Sequence, residues 1–225
     1  VVIPAIIYSI THKKKLIYNI HDNLAQRYNV SKLTYSVLNL LEGIAVLFSD
    51  SSLVPEDFRK KSLPFWCQKK INVVKNIPGN IDYQKPKFEN NGKIKLFYGG
   101  WLNENRGLDQ MIELVNRNDM IELELAGPGS SETINKLKKN KKIKYLGYLS
   151  HSETLKKTAD AHFIPVFYNP ITPINRYAAS NKLAETMAIG RPLLVNNELI
   201  ILKNFISYNF IITKNYNDIV DIGDK

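Results

Sequence analysis

Beyond residue 92 short apolar runs alternate with amphipathic stretches. KIKLFYGG, from Lys93, leads into a pattern that predicts a helix over 108–116; IELELAG, from Ile121, leads into one over 132–140; IKYLGYL, from Ile143, leads into one over 153–159. Ser150 with Glu153 three residues on is a capping box at the start of that last helix. HFIPVFY, a loop, a helix closed by Gly190, PLLVNN, a helix near 199–208 and FIIT complete the series. Strands alternating with helices predict a parallel, doubly wound sheet covered on both faces.

The earlier residues are less regular. LIYNIH predicts a buried strand ending at His21, and a helix is expected over 31–42. Gly43 then introduces IAVLFS, which reads as a second strand with DSS at its carboxyl end. A short helix over 55–61 and the strand INVVKNIPGN follow. YQKPKFENNGK, polar and broken by Pro and Gly, is the linker candidate, which divides the chain into domains 1–84 and 93–225 joined by 85–92. The apolar opening VVIPAIIYSI is too short to span a bilayer and contains Pro4. A chain that opens in mid-pattern, without Met, is expected to be a fragment whose first domain is incomplete, exposing apolar surface around residues 1–10.

Composition narrows the classes. With 44% hydrophobic and 23% charged residues the chain is globular in type. A net charge of +10 favours anionic ligands, but the lysines are dispersed, and the runs at 13–15 and 138–142 lack interleaved stacking aromatics, so no nucleic-acid partner is expected. One cysteine, Cys67, excludes an intrachain disulfide and a cysteine-based zinc cluster, indicates a reducing compartment, and reads as a packing residue.

Ligands of parallel α/β sheets bind at the carboxyl ends of the strands, and there this chain is rich in glycine: GGWLNENRG, GPGS and GYLS. None of these is a complete dinucleotide or Gly-Lys-Ser/Thr phosphate fingerprint. The stretch NRYAASNKLAETMAIGRP carries more information. If Ser180 or Asn181 caps its helix, the first amides face the sheet edge, ready for phosphate, and Glu185 lies one turn on, where a carboxylate accepts two hydrogen bonds from a ribose-like diol. A helical Glu is more often merely solvated; here Leu183, Met187 and Ile189 anchor the helix and Gly190 and Pro192 lead directly into a strand.

SNKLAETMAIGRPLLV, preceded in order by LFYGGWLNENRGLDQMIEL, LELAGPG and YLGYLSHSETLKKTADAHFIPV, resembles the retaining glycosyltransferase family 4 of GT-B fold; IYNIHD and INVVKNIPGNID extend the likeness weakly to the first half. The resemblance implies two Rossmann-like doubly wound parallel-sheet domains, the first incomplete, and a nucleotide-diphosphate sugar as donor with no cofactor. It assigns Glu185 to the ribose, Arg106 and Gly100 to the diphosphate loop, Gly147, Tyr148 and Leu149 to the nucleobase, and the helix-end amides of Ser180 and Asn181 to phosphate. His21 matches the histidine beside the reacting carbon. Two positions depart from the pattern. Tyr177 stands where the first glutamate of the paired motif belongs, and Trp101 where the loop has its first cation, a loss that Arg176 is a candidate to offset.

The resemblance implies transfer with retention to a glycan or lipid-linked acceptor, and the absence of an Asp-x-Asp triplet fits a transfer without a metal. Helix-end dipoles and Arg106 would stabilise the leaving diphosphate. A cytoplasmic location with peripheral contact at the inner face of a membrane is expected from class and charge. The rivals are a non-catalytic nucleotide-sugar-binding member, which Tyr177 and Trp101 favour, and a sugar-nucleotide epimerase, which would need further acid and base residues in the first domain.

Overall fold

The computed structural model describes residues 2–28, 30–79, 92–205 and 208–222. Two compact units divide the chain: Val1–Asn76 with Ile171–Ala179, and Ile77–Pro170 with Ser180–Lys225. Residues 85–91 of the expected linker lie outside the described residues.

In the first unit α1 (Val2–Thr11) precedes β1 (Ile17–Asn19), α2 (Leu24–Arg27), α3 (Lys32–Phe48), β2 (Ser51–Val54), α4 (Asp57–Lys61) and β3 (Ile71–Val73). The strands are parallel in the order β1-β2-β3. Two expectations fail here. Residues 44–49 are not a strand; α3 runs on through them from its Ser31 cap. Gly43 is no boundary but a contact, because a Cβ there would stand 2.4 Å from the Trp66 ring. The strand belongs instead to the polar residues that follow. Ser52 is fully buried, its hydroxyl 2.8 Å from that of Ser49, which in turn donates to the Val46 carbonyl. Paired hydroxyls remove most of the cost of burying them, so a strand forms where the polarity predicts an exit. Ile20, Val46, Val54, Leu63, Cys67 and Ile71 form the core, with Cys67 in the packing role expected of it.

In the second unit β4 (Ile94–Gly99), α5 (Leu108–Arg117), β5 (Ile121–Ala126), α6 (Ser131–Lys139), β6 (Ile143–Tyr145), α7 (His151–Asp160) and β7 (Ile164–Val166) follow one another. α8 (Pro173–Arg176) belongs to the first unit. The second then resumes with α9 (Asn181–Ile189), β8 (Leu193–Asn196) and β9 (Ile211–Lys214). The helix expected near 199–208 is a short 3₁₀ turn, Ile200–Asn204, closed by i to i+3 bonds such as Phe205 N–H to Leu202 O.

The strands are parallel, ordered β4-β5-β6 and β7-β8-β9. A bridge between Leu96 and Phe163 joins the two sets, with Phe97 N–H donating to Phe163 O and Phe163 N–H to Lys95 O. The next donor on that edge of β7 belongs to residue 165, a proline with no N–H, so the seam between β4 and β7 stays short. The full order is therefore β6-β5-β4-β7-β8-β9, all parallel, in which the direction of strand succession reverses between β4 and β7. This is the Rossmann order, whose ligands bind at the carboxyl ends of the strands at the reversal. Helical spacing explains how α5 covers the sheet: Leu108, Met111, Leu114 and Val115 are all buried against Leu96, Leu123 and Leu125.

Candidate functional site

The carboxyl ends of β4 and β7 carry the loops that begin at Gly99 and Phe167, and α9 opens beside them. Gly127, after β5, sets how closely the loops approach. Its φ is 123°, and a Cβ on it would lie 2.2 Å from Gly100 O. Gly100 N–H also donates to Ala126 O at 2.8 Å, so the backbone of the β4 loop is pinned against that of β5.

Arg106 is held by a chain of contacts that starts in β8. Buried Asn196 clamps the backbone of Tyr168, accepting from its N–H at 2.9 Å and donating to its carbonyl at 3.1 Å. The Tyr168 ring then lies 4.4 Å from the Arg106 guanidinium, a cation–π contact. On the other side Asn103 accepts from Arg106 N–H at 3.2 Å and caps the turn that bears it.

Ser180 is the N-cap of α9, as expected, but its side chain makes no capping bond. The helix's first amides are the groups such an end leaves for an outside acceptor. Gly190, in the left-handed region, ends the helix with Arg191 N–H bonded to Thr186 O. Glu185 lies a turn in, about one-fifth exposed (22%), with Oε1 3.0 Å from Nε2 of His151, the first residue of α7. Lys182 turns toward the sheet. Its ammonium donates to Gly99 O and sits 4.5 Å from the Tyr98 ring centroid. Burial, reinforced by the charge of Arg106 and only partly offset by Glu185, pushes this lysine down to about 8.

Of the residues singled out in the sequence, Gly100, Arg106, Gly147, Tyr148, Leu149, Ser180, Asn181 and Glu185 all belong to the second unit. Gly147 spends its carbonyl on Gly127 N–H, and Tyr148 is 83% exposed. His21, Arg176 and Tyr177 belong to the first unit. His21 follows β1 by two residues rather than ending it; its Nε2 is 3.2 Å from Asn19 Nδ2, and its carbonyl accepts from Arg59. Tyr177 packs on Phe58 with ring centroids 6.2 Å apart.

Sequence reasoning missed Lys182, His151, Tyr98 and the Asn196–Tyr168 clamp. One signal was present for the lysine: a cation in the first turn of a helix opposes the helix dipole, and it stands three residues before a glutamate. The clamp left no trace, because it joins residues 28 apart. A separate cavity of about 320 Å³ lies between the Glu104 turn and α6, but Glu104, Asp109 and Glu132 line it against the cation Lys136, itself 3.8 Å from Asp109, a poor environment for phosphate.

No protein-family model matches the chain, and no curated protein does. Solved structures do. HepE of Anabaena, solved with UDP and glucose, is similar over 99% of this chain and 64% of its own, at 13% identity and a TM-score of 0.70. WaaB, a lipopolysaccharide outer core galactosyltransferase, is similar over 98% and 67%, at 14% identity and a TM-score of 0.60. A candidate UDP-N-acetylglucosamine 2-epimerase of Listeria monocytogenes is similar over 97% and 61%, at 14% identity and a TM-score of 0.54. The chain thus spans about two thirds of the length of each of these proteins. The fold is the parallel-sheet α/β architecture of the GT-B glycosyltransferases.

Proposed function

We propose that the chain belongs to a glycosyltransferase that binds a nucleotide-diphosphate sugar and transfers the sugar, with retention, to a glycan or lipid-linked acceptor. The observation that carries this reading is the convergence of Arg106, the open amino end of α9 and Glu185 at the carboxyl edge of a Rossmann-ordered sheet. That combination fits a nucleoside diphosphate: amides and a guanidinium for phosphate oxygens, a carboxylate for the ribose hydroxyls, and the backbone at Gly147–Leu149 for the base. HepE, solved with UDP-glucose, shares the fold and supports the donor class.

In the proposed reaction the bond from the sugar's anomeric carbon to the diphosphate oxygen breaks, and a bond to the acceptor hydroxyl oxygen forms on the same face. The acceptor's proton passes to the departing phosphate, which leaves as nucleoside diphosphate. Arg106 and the α9 dipole would stabilise the charge that develops there without a metal. From the resemblance, His21 is proposed as a catalytic residue and Arg176 as an auxiliary cation. Among the described residues no helix is long and apolar enough to cross a membrane; a cytoplasmic site of action, with peripheral contact at the inner membrane face, remains part of the proposal.

The test is calorimetric titration with UDP, ADP, GDP and their sugars, followed by a nucleotide-release assay with candidate acceptors. Binding of none of them would reject the reading. Tyr177, packed on Phe58 where the resemblance expects a carboxylate, favours a second reading: a nucleotide-sugar-binding protein without transferase activity. Tight binding without acceptor-dependent nucleotide release would select it, and interconversion of the sugar while it stays on the nucleotide would select an epimerase.

A further inference from the structure

We propose that Lys182 is the second cation of the diphosphate site, acting from α9 in place of the cation that Trp101 displaces from the β4 loop. The inference rests on the donor reading above and concerns the same site.

Lysines on helices usually carry their ammonium outward to water. Lys182 does the opposite. Its ammonium reaches the carboxyl end of β4, donates to Gly99 O, lies over the Tyr98 ring, and comes within 3.4 Å of where a Cβ on Gly100 would stand. The dipole of α9 disfavours a cation in its first turn, so this position is electrostatically costly in the protein alone. Glu185 compensates only in part: its charge favours the protonated lysine, but its carboxylate is paired with His151, and neither Lys182 nor Arg106 forms an ion pair among the described residues. Burial outweighs the help from Glu185, and the charge of Arg106 adds to it, so Lys182 is easier to deprotonate than an ordinary lysine.

Two partly buried cations thus stand beside an uncapped helix amino end and a glycine loop. Anion binding relieves each of these costs. An ammonium has three donors, and Gly99 O takes one, so two remain for phosphate oxygens. The loop position nearest in sequence to Gly100 holds Trp101, 64% exposed and uncharged. The lysine reaches the same loop through space from a helix more than 80 residues later, its contact with Gly99 spanning 83 positions.

The site also predicts proton uptake. The groups around the ammonium are Glu185 on its own helix, with His151 of α7 beyond it, Arg106 on the turn after β4, and the Tyr98 phenol of β4. A bound diphosphate adds negative charge to this set, so Lys182 should gain a proton when ligand binds above pH 8 and gain none at pH 6.

The experiment titrates UDP, ADP, GDP, inorganic pyrophosphate and uridine into the wild-type chain and into Lys182→Met, which keeps the apolar stem. Buffers of different ionisation enthalpy are used at pH 6 and pH 8.5. The expected result is a loss of about 10- to 100-fold in affinity for diphosphates and pyrophosphate, unchanged uridine binding, and proton uptake at pH 8.5 in wild type only. If the methionine variant does not fold, as judged by its thermal unfolding, Lys182→Gln takes its place. Diphosphate binding to wild type with undiminished affinity in the folded variant would overturn the role of Lys182 and leave the donor reading intact. Failure of wild type to bind any diphosphate or pyrophosphate would overturn both.

Discussion

Nε2 of His151 lies 3.0 Å from Oε1 of Glu185, tying the start of α7 to the first turns of α9. One oxygen of the carboxylate is thereby oriented, and the other is left for a ligand. If that ligand is ribose, Glu185→Gln should keep the fold and weaken nucleoside diphosphate binding by about 1.5–3 kcal/mol, the worth of a charge-assisted hydrogen bond. Titration of ribo and 2′-deoxyribo forms separates this from a general loss. Wild type should prefer the ribo form, and the variant should not.

Donor binding is expected to be independent of divalent ions, because Arg106 and the α9 amides supply the positive charge. Titrating a nucleoside diphosphate with and without a chelator at matched ionic strength should give the same affinity within twofold, a margin of roughly 0.4 kcal/mol. A large loss on chelation would assign the charge to a metal instead.

Gly127→Ala tests the loop geometry. The residue's φ of 123° and the 2.2 Å approach to Gly100 O leave no room for a methyl group. The backbone strain should cost about 1–3 kcal/mol in chemical denaturation and reduce nucleotide affinity by displacing the β4 loop. Gly79→Ala is the control. Among the described residues nothing lies within 4 Å of a Cβ there, so stability should be unchanged or rise slightly.

Glu124 gives a pH dependence of known sign. Burial would raise its carboxyl, but the hydrogen bond and charge of Lys157, with Lys95 and Lys144, outweigh it and hold the group below the usual glutamate value. A carboxylate with a depressed folded value stabilises the fold above its unfolded value, and that contribution is lost as pH falls through the folded one. The denaturation midpoint of Glu124→Gln should therefore lie below that of wild type at pH 7, and the gap should close as pH drops below about 4. A constant gap would show that the residue acts through packing rather than charge.

The first unit exposes apolar side chains on two helices: Ile3, Ile7 and Ile10 of α1 are 65%, 57% and 60% exposed, and Leu33 of α3 is 76% exposed. No residue of α1 is buried. Exposed clusters of this kind promote association, so the isolated chain should sediment as concentration-dependent oligomers. Ile3→Ser combined with Ile7→Ser should shift it toward monomer without altering nucleotide binding.

Local pattern determined much of the second unit. Its strands and helices alternate with clear periodicity, and the Ser150–Glu153 capping box and the Gly190 stop are formed by residues adjacent along the chain. Signals of that kind survive without tertiary information. Glu185 and the glycine loops could be placed for the same reason, since each lies at the end of a predicted strand or the start of a predicted helix, whereas Arg106 was singled out only by the family resemblance. The first unit was less legible because tertiary contacts overrode its local signals. Gly43 looks like a break, yet it serves the approach of Trp66, and Ser52 looks exposed, yet Ser49 satisfies it in the interior. Only the fold decided the partners of the site's charges. Lys182 meets Gly99, His151 meets Glu185, and Asn196 holds the tyrosine under Arg106, each across tens of residues. A parallel sheet brings together strand ends that are distant in sequence, so its electrostatics are a property of strand order, and a chain read one residue at a time does not contain that order.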